Sequence, residues 1–224
     1  MALVVTLLGG ESTGKTSLAR ALCEQLAARG VASAMVAEHL RHWCEQHRRA
    51  PHLHEQAALA REQARLTDEA ASRLAEGVVI ADTSPLVIAA YSELYFQDRS
   101  LWSEALAWQC RVDLTLLMGL DLPWVADGFF RDSPAVRDAV DTVIRRELQT
   151  AGLAFQTIHG RGTARTEQAL RAIGRRLGQD LTTTEQTLTT GRRAWSCDQC
   201  SDPDCEHRLF SKLLAPNTHG DTRP

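Results

Sequence analysis

Lysine is almost missing from this chain: among 224 residues it occurs only at Lys15 and Lys212, and arginine carries nearly all the positive charge. Acidic residues still outnumber basic ones, 28 to 25, for a net charge of −3 and a pI near 6.2. No global basic field is available to attract nucleic acid, which is not an expected partner. Long hydrophobic runs are missing too. No apolar stretch approaches the ~18 residues of a membrane span, so no membrane association is expected. Cysteine is sparse and uneven: Cys23, Cys44 and Cys110 are isolated, while Cys197, Cys200 and Cys205 crowd together. That is not the framework of a disulfide-stapled secreted domain. Met1-Ala2-Leu3 leads directly into an apolar run, so no signal peptide is expected and the expected location is cytoplasmic. No internal repeat is present. What remains is 44% hydrophobic and 24% charged, enough for one domain with a tail. A body of this size buries about 70% of its unfolded surface and needs no staple.

One of the two lysines falls inside the most informative stretch. Leu3 to Leu8 is a short apolar run that reads as a buried strand, and Lys15 onward reads as a helix. Between them Gly9, Gly14, Lys15 and Thr16 satisfy G-x-x-x-x-G-K-[ST]. Glycine opens backbone angles closed to other residues, so successive N–H groups can curl around a phosphate. The following helix directs its unsatisfied N–H groups and positive dipole end at the same anion. Gly9, Gly10, Glu11, Ser12, Thr13, Gly14, Lys15, Thr16 and Ser17 are therefore the expected ATP-binding loop. Lys15 is placed to reach the β- and γ-phosphates, and the Thr16 hydroxyl to ligate Mg²⁺.

Downstream, Leu18, Leu22 and Leu26 recur every four residues and Gly30 closes that helix. Val31–Ala37 is a second strand candidate, and Leu53–Glu76, free of Gly and Pro, a long helix. Val78 to Asp82 is a third apolar run, followed by helical segments over Pro85–Phe96 and Leu101–Cys110. Leu114–Leu120 reads as a strand, Val125–Pro134 as a loop and Ala135–Thr150 as a helix. Phe155–His159 reads as a fifth strand and Thr166–Leu177 as a last helix. Five strands alternating with helices predict an α/β fold: a P-loop NTPase with a five-stranded parallel sheet flanked by helices. From Gly178 the composition shifts to Thr, Gln and Gly, giving a P-loop domain over 1–178 and a polar, Cys-rich tail over 179–224.

Ligands of parallel α/β sheets lie at the carboxyl ends of the strands, so those ends carry the candidate chemistry. Glu38 follows the second strand, with Arg41 one helical turn later on the same face. Glu38 suits either an acceptor-side acid or a solvated acid at a helix start. Asp82 closes the third run, the expected place for a Mg²⁺ ligand, and also suits a cap for the helix at Pro85. After the fourth strand come Trp124, Asp127, Arg131 and Asp132, with Arg137 beyond. Arginines on such a loop can neutralise a transferring phosphoryl group. Trp124 suits stacking on a planar ring or packing on Pro123.

In the tail, Cys197, Cys200, Cys205 and His207 form C-x₂-C-x₄-C-x-H. Thiolate and imidazole ligands suit tetrahedral Zn²⁺, although four ligands in eleven residues is tighter than common spacings. An uncoordinated acidic tail and an iron–sulfur or redox role are the alternatives. The histidines from His39 to His54 suit scattered surface positions better than a second metal site.

Taken together, Gly9-Gly10-Glu11-Ser12-Thr13-Gly14-Lys15-Thr16, Glu38-His39-Leu40-Arg41, Ile80-Ala81-Asp82-Thr83 and Pro123-Trp124-Val125-Ala126-Asp127-Gly128 resemble the ribosylnicotinamide kinase domain of NadR-type proteins and a related AAA-type ATPase group. The resemblance covers roughly residues 3–177. It implies transfer of the ATP γ-phosphoryl group to the 5′-hydroxyl of nicotinamide riboside, with ATP and Mg²⁺ bound. On that basis Lys15, Glu38, Asp82, Arg131 and Arg137 are the expected catalytic residues. Glu38, Arg41, Trp124 and Asp127 are then the expected acceptor contacts, with Thr16 and Asp82 on Mg²⁺. The chain departs from the family where E-Y-x-R-E becomes Glu38-His39-Leu40-Arg41-His42 and D-T-D becomes Asp82-Thr83-Ser84. The lid pattern D-G-x-R becomes Asp127-Gly128-Phe129-Phe130-Arg131. Every departure lies on the acceptor or lid side. Kinase activity on another nucleoside therefore stands beside the leading reading, as does a nucleotide-dependent ATPase or switch whose metal-binding tail recruits a protein partner.

Overall fold

The structure, a computed structural model, describes residues 1–125 and 133–182, which belong to one compact unit. The apolar runs form five parallel strands: β1 (Leu3–Leu8), β2 (Ser33–Val36), β3 (Val78–Asp82), β4 (Leu114–Met118) and β5 (Gln156–Ile158). Their order is β2-β3-β1-β4-β5. The chain leaves β1 for the edge, returns through β3 on one side and then crosses to β4 on the other. The exit of β1 is therefore a topological switch point, where parallel sheets leave a crevice for ligands. The register sets Leu7 opposite Asp82, Leu8 opposite Leu117 and Val36 opposite Ala81.

Both faces of the sheet are covered, which is why the central strands β1, β3 and β4 are largely apolar rather than alternating. On one face, α1 (Lys15–Ala27) and α7 (Thr163–Leu177) pack Leu18, Leu22, Leu26, Leu170 and Ile173 against β1, β3 and β4. On the other lie α3 (Leu53–Arg73), α4 (Pro85–Phe96), α5 (Trp102–Gln109) and α6 (Pro134–Thr150). Helix α4 is buried along most of its length, and Ser84 and Ser133 cap α4 and α6, each ahead of a proline. The element boundaries shift modestly from the expected ones. Helix α3 stops at Arg73 because Leu74 turns extended and packs near β2 and β3. Helix α7 begins three residues earlier than expected, at Thr163. The helical turn expected from Glu38 to Arg41 extends into a helix, α2 (His39–His47), which follows β2 and docks Leu40 and Trp43 on the second face. Among the described residues no helix is long and apolar enough to cross a membrane.

Candidate functional site

The loop after β1 reaches α1 through Gly14, which caps the helix at φ 81°. A Cβ there would stand 2.9 Å from Leu122 Cδ1 and 3.0 Å from Arg165 Nη1, so both backbone angle and packing require glycine. Gly10 is close to another element, since a Cβ on it would lie 3.1 Å from the Arg137 backbone. Thr13 Oγ1 donates to the Gly10 carbonyl at 2.7 Å. Lys15 is buried and donates to the carbonyls of Gly9 and Gly10 at 2.9 and 3.0 Å. The first turn of α1 contains no acid and no side-chain cap, so the helix end offers its amides and dipole to an anion.

Asp82, at the tip of β3, accepts a hydrogen bond from the Thr16 hydroxyl at 2.5 Å. Its other oxygen is buried with no hydrogen-bond partner among the described residues. The next residue, Thr83, holds φ 92°, an uncommon angle for a β-branched residue. The two hydroxyl and carboxylate oxygens, one of them partnerless, are a hard donor set that suits Mg²⁺. Among the described residues no group of three or more His, Cys, Asp or Glu side chains forms a metal centre.

Glu38 lies two residues beyond Val36, level with the residues that follow Ala81 on β3. Strand spacing puts it about 10 Å across the sheet from β1. Its backbone is pinned by Gln63 of α3, whose Oε1 accepts the His39 amide at 2.8 Å and whose Nε2 donates to the Ala37 carbonyl at 3.4 Å. The Glu38 side chain is largely buried, with Arg41 Nε 3.9 Å away. Tyr91 of α4 faces the same corner. Burial pushes its hydroxyl well above the usual phenol range and the charges of Glu38 and Glu11 add to that, while a hydrogen bond from the Glu11 backbone opposes it.

On the opposite side of β1 the chain leaving β4 is held at three points. Asp121 accepts Arg165 Nη2 at 3.1 Å and the Gly160 amide at 2.7 Å. The Leu122 carbonyl accepts Arg137 Nη1 at 2.8 Å. Val125 donates its amide to Ser12 Oγ at 2.8 Å. Trp124 is thereby placed beside the apex of the phosphate loop, its indole N–H buried without a partner among the described residues.

The expected loop, Asp82 and Glu38 thus meet along one edge of the sheet, with Arg41 and Trp124 beside them. Arg137 stands against Gly10 with its guanidinium on a backbone carbonyl. Asp127, Arg131 and the tail residues Cys197, Cys200, Cys205 and His207 lie outside the described residues. Sequence reasoning missed Gln63, Tyr91, Asp121 and Arg165, all of which act through contacts remote in the chain. One local signal existed for Arg165: a cation in the first turn of a helix opposes the helix dipole, which hints at a partner elsewhere.

Comparison with known proteins adds the family. The sequence model of the AAA domain family matches residues 4–165. Comparison with curated protein sequences finds no match. Among solved structures, a crystal structure of NadR protein in complex with NR is similar at a TM-score of 0.67 and 23% identity, covering 82% of this chain and 54% of the other. A second, of NadR protein in complex with NAD and AMP-PNP, is similar at 0.64 and 22%, covering 81% and 51%. The chain spans about half the length of these structures. Its motif, its 2-3-1-4-5 sheet and the family match agree: the chain belongs to the AAA domain family, as a P-loop nucleotide-binding domain with the fold of the part of NadR that it matches.

Proposed function

We propose that this chain is an ATP-dependent small-molecule kinase that transfers the γ-phosphoryl group of ATP to the 5′-hydroxyl of nicotinamide riboside or a related nucleoside. The observation that carries the reading is the sequence of groups along the carboxyl edge of the sheet. Glu38 follows β2, Asp82 ends β3 and the phosphate loop follows β1, an acid, a metal-ligand set and an anion cradle in line. The likeness to NadR structures that hold NR, or NAD and AMP-PNP, supports the same choice of ligands.

Phosphoryl transfer asks a protein for positioning and charge neutralisation. The loop amides and Lys15 hold the phosphates. Thr16 and Asp82 would hold Mg²⁺, which would offset negative charge on the phosphates. Glu38 orients the acceptor hydroxyl and takes its proton as the oxygen attacks phosphorus and the bond to ADP breaks. Arg41 and Asp127 contact the acceptor and Trp124 stacks on its ring, while Arg131 and Arg137 close over the γ-phosphate. ADP formation by the purified chain with MgATP, with and without nicotinamide riboside, tests this. Stimulation by the riboside with a mononucleotide product is expected. ADP formation indifferent to every nucleoside offered overturns the kinase reading in favour of an ATPase or switch.

A further inference from the structure

We propose that Arg165, on the first turn of α7, is the residue that positions the phosphate loop, acting from behind it without touching the nucleotide. The inference rests on the nucleotide-binding reading of the loop. Arg165 is 4% exposed and its guanidinium spans three elements. Nη1 donates to the Thr13 carbonyl at 2.6 Å, and Nη2 to the Gly119 carbonyl at 3.0 Å and to Asp121 Oδ1 at 3.1 Å. A longer contact at 3.4 Å reaches the Ile158 carbonyl at the end of β5. The loop, the β4 exit and the β5 exit therefore share one planar fork.

The bond to Thr13 has a directional consequence. In a planar trans peptide the C=O and the following N–H point opposite ways, and no cis peptide occurs among the described residues. With the Thr13 carbonyl drawn toward Arg165, the Gly14 amide is turned away from it, to the side where an anion cradle needs donors. Gly14 is also the helix cap, so the same bond sets where the α1 dipole begins. Arg165 Nε is buried without a partner among the described residues, and burial lowers the guanidinium pKa while Asp121 raises it. The positive charge lies 3.0 Å from the place a Gly14 Cβ would occupy, directly beneath the loop. Lysine cannot substitute, because a point charge on a flexible stem cannot hold carbonyls of three elements in one plane.

Calorimetric titration of the whole chain with MgATP, MgADP and AMP, on wild type, R165M and R165K, tests the proposal. R165M is expected to weaken MgATP and MgADP binding by about tenfold or more, as loss of a supporting contact behind a ligand-binding group does. AMP, which lacks the phosphates the loop cradles, is weakened little. R165K, which keeps the charge but not the planar fork, recovers little of the loss. MgATP affinity equal to wild type in R165M, or in R165K where R165M does not fold, overturns the proposal, as does equal weakening of AMP and MgATP. Binding is read without any acceptor. A wild-type chain that binds MgATP but phosphorylates no nucleoside therefore refutes the kinase reading and leaves this measurement standing.

Discussion

Replacing Asp82 with asparagine sets stability and activity against each other. Asp82 is 1% exposed, accepts one hydrogen bond from Thr16 and buries its second oxygen without a partner among the described residues. An unsatisfied buried polar atom costs about 1–3 kcal/mol, and a charged one more. In D82N the amide oxygen keeps the Thr16 bond and the NH₂ group takes the partnerless side. The mismatch remains, but the charge is gone. The saving is about 1 kcal/mol on that scale, and in a domain of this size each kcal/mol moves Tm by about 2–4 °C. Ligand-free D82N is therefore expected to melt about 2–4 °C above wild type. Turnover moves the other way. Removing one preorganised electrostatic group from a charge-stabilising site costs about 10²–10³ in kcat.

Scanning calorimetry with ATP plus Mg²⁺ or ATP plus EDTA, alongside an ADP-release assay, reads both effects. Wild type is expected to gain more Tm from MgATP than from ATP with EDTA, and D82N to lose that difference. If ligand-free D82N melts well below wild type, the carboxylate is a structural group and the stored-cost reasoning fails. If D82N keeps wild-type kcat and Mg²⁺ response, Asp82 is not in the machinery.

Lys15→Ala should abolish ATP turnover while circular dichroism shows the fold intact, since among the described residues the ammonium's hydrogen bonds go to the nearby carbonyls of Gly9 and Gly10. Glu38→Gln should lose phosphoryl transfer yet bind MgATP as wild type does, measured by single-turnover product formation and titration. The Glu55 carboxyl is pulled down to about 2 by its hydrogen bonds from Arg49 and from the His52 backbone, which stitch the α2–α3 connection. Its contribution is complete above the unfolded value of about 4.3 and fades as pH falls through about 2. The Tm gap between wild type and E55Q should therefore be open at neutral pH and close over that acidic window. Metal analysis of the purified chain should find one zinc per chain, lost in a C197S/C200S variant, if the tail cysteines and His207 ligate metal.

Strands β1, β3 and β4 were legible because each is a short, largely apolar run ended by a glycine or an acid, the pattern of strands buried on both faces. The carboxyl tips of β1 and β3 followed from that, and with them the loop and Asp82, while Glu38 followed from the strand candidate at Val31–Ala37. Helix α2 was read only at its start, from Glu38 and Arg41 one turn apart; its extent was not, although Leu40, Trp43 and Cys44 fall at helical spacing, because nine residues dense in His and Arg offer too little period. The supporting residues were beyond reach for a different reason. Arg165 meets Thr13 across 152 positions, and Gln63 meets His39 from another helix. No local propensity encodes such pairs. What the sequence did contain was misfit: an arginine at a helix start against the dipole, and Gln56, Gln63 and Thr67 along the buried face of α3. Polar groups in apolar stripes mark places where tertiary structure supplies a partner.

The loop is tied to its neighbours at several points, and that bears on how tightly it can hold a polyphosphate. Arg165 fixes Thr13, Ser12 is bound to Val125, Gly10 lies against Arg137 and Thr13 closes back on Gly10. Ordering Gly9 to Thr16 from a flexible state would cost on the order of 10 kcal/mol at about 1–2 kcal/mol per residue. That cost is met in folding rather than in binding. One large rearrangement is left: the Lys15 ammonium must exchange the Gly9 and Gly10 carbonyls for phosphate oxygens. The ammonium's bonds are charge-assisted in both arrangements, but the phosphate adds a full opposite charge, and that Coulomb attraction favours the exchange. Reorienting one side chain costs only about 0.5–1.5 kcal/mol, so the balance favours the ligand. A loop built this way spends little binding energy on its own order, and the remainder is available to hold the γ-phosphate against an acceptor on the Glu38 side.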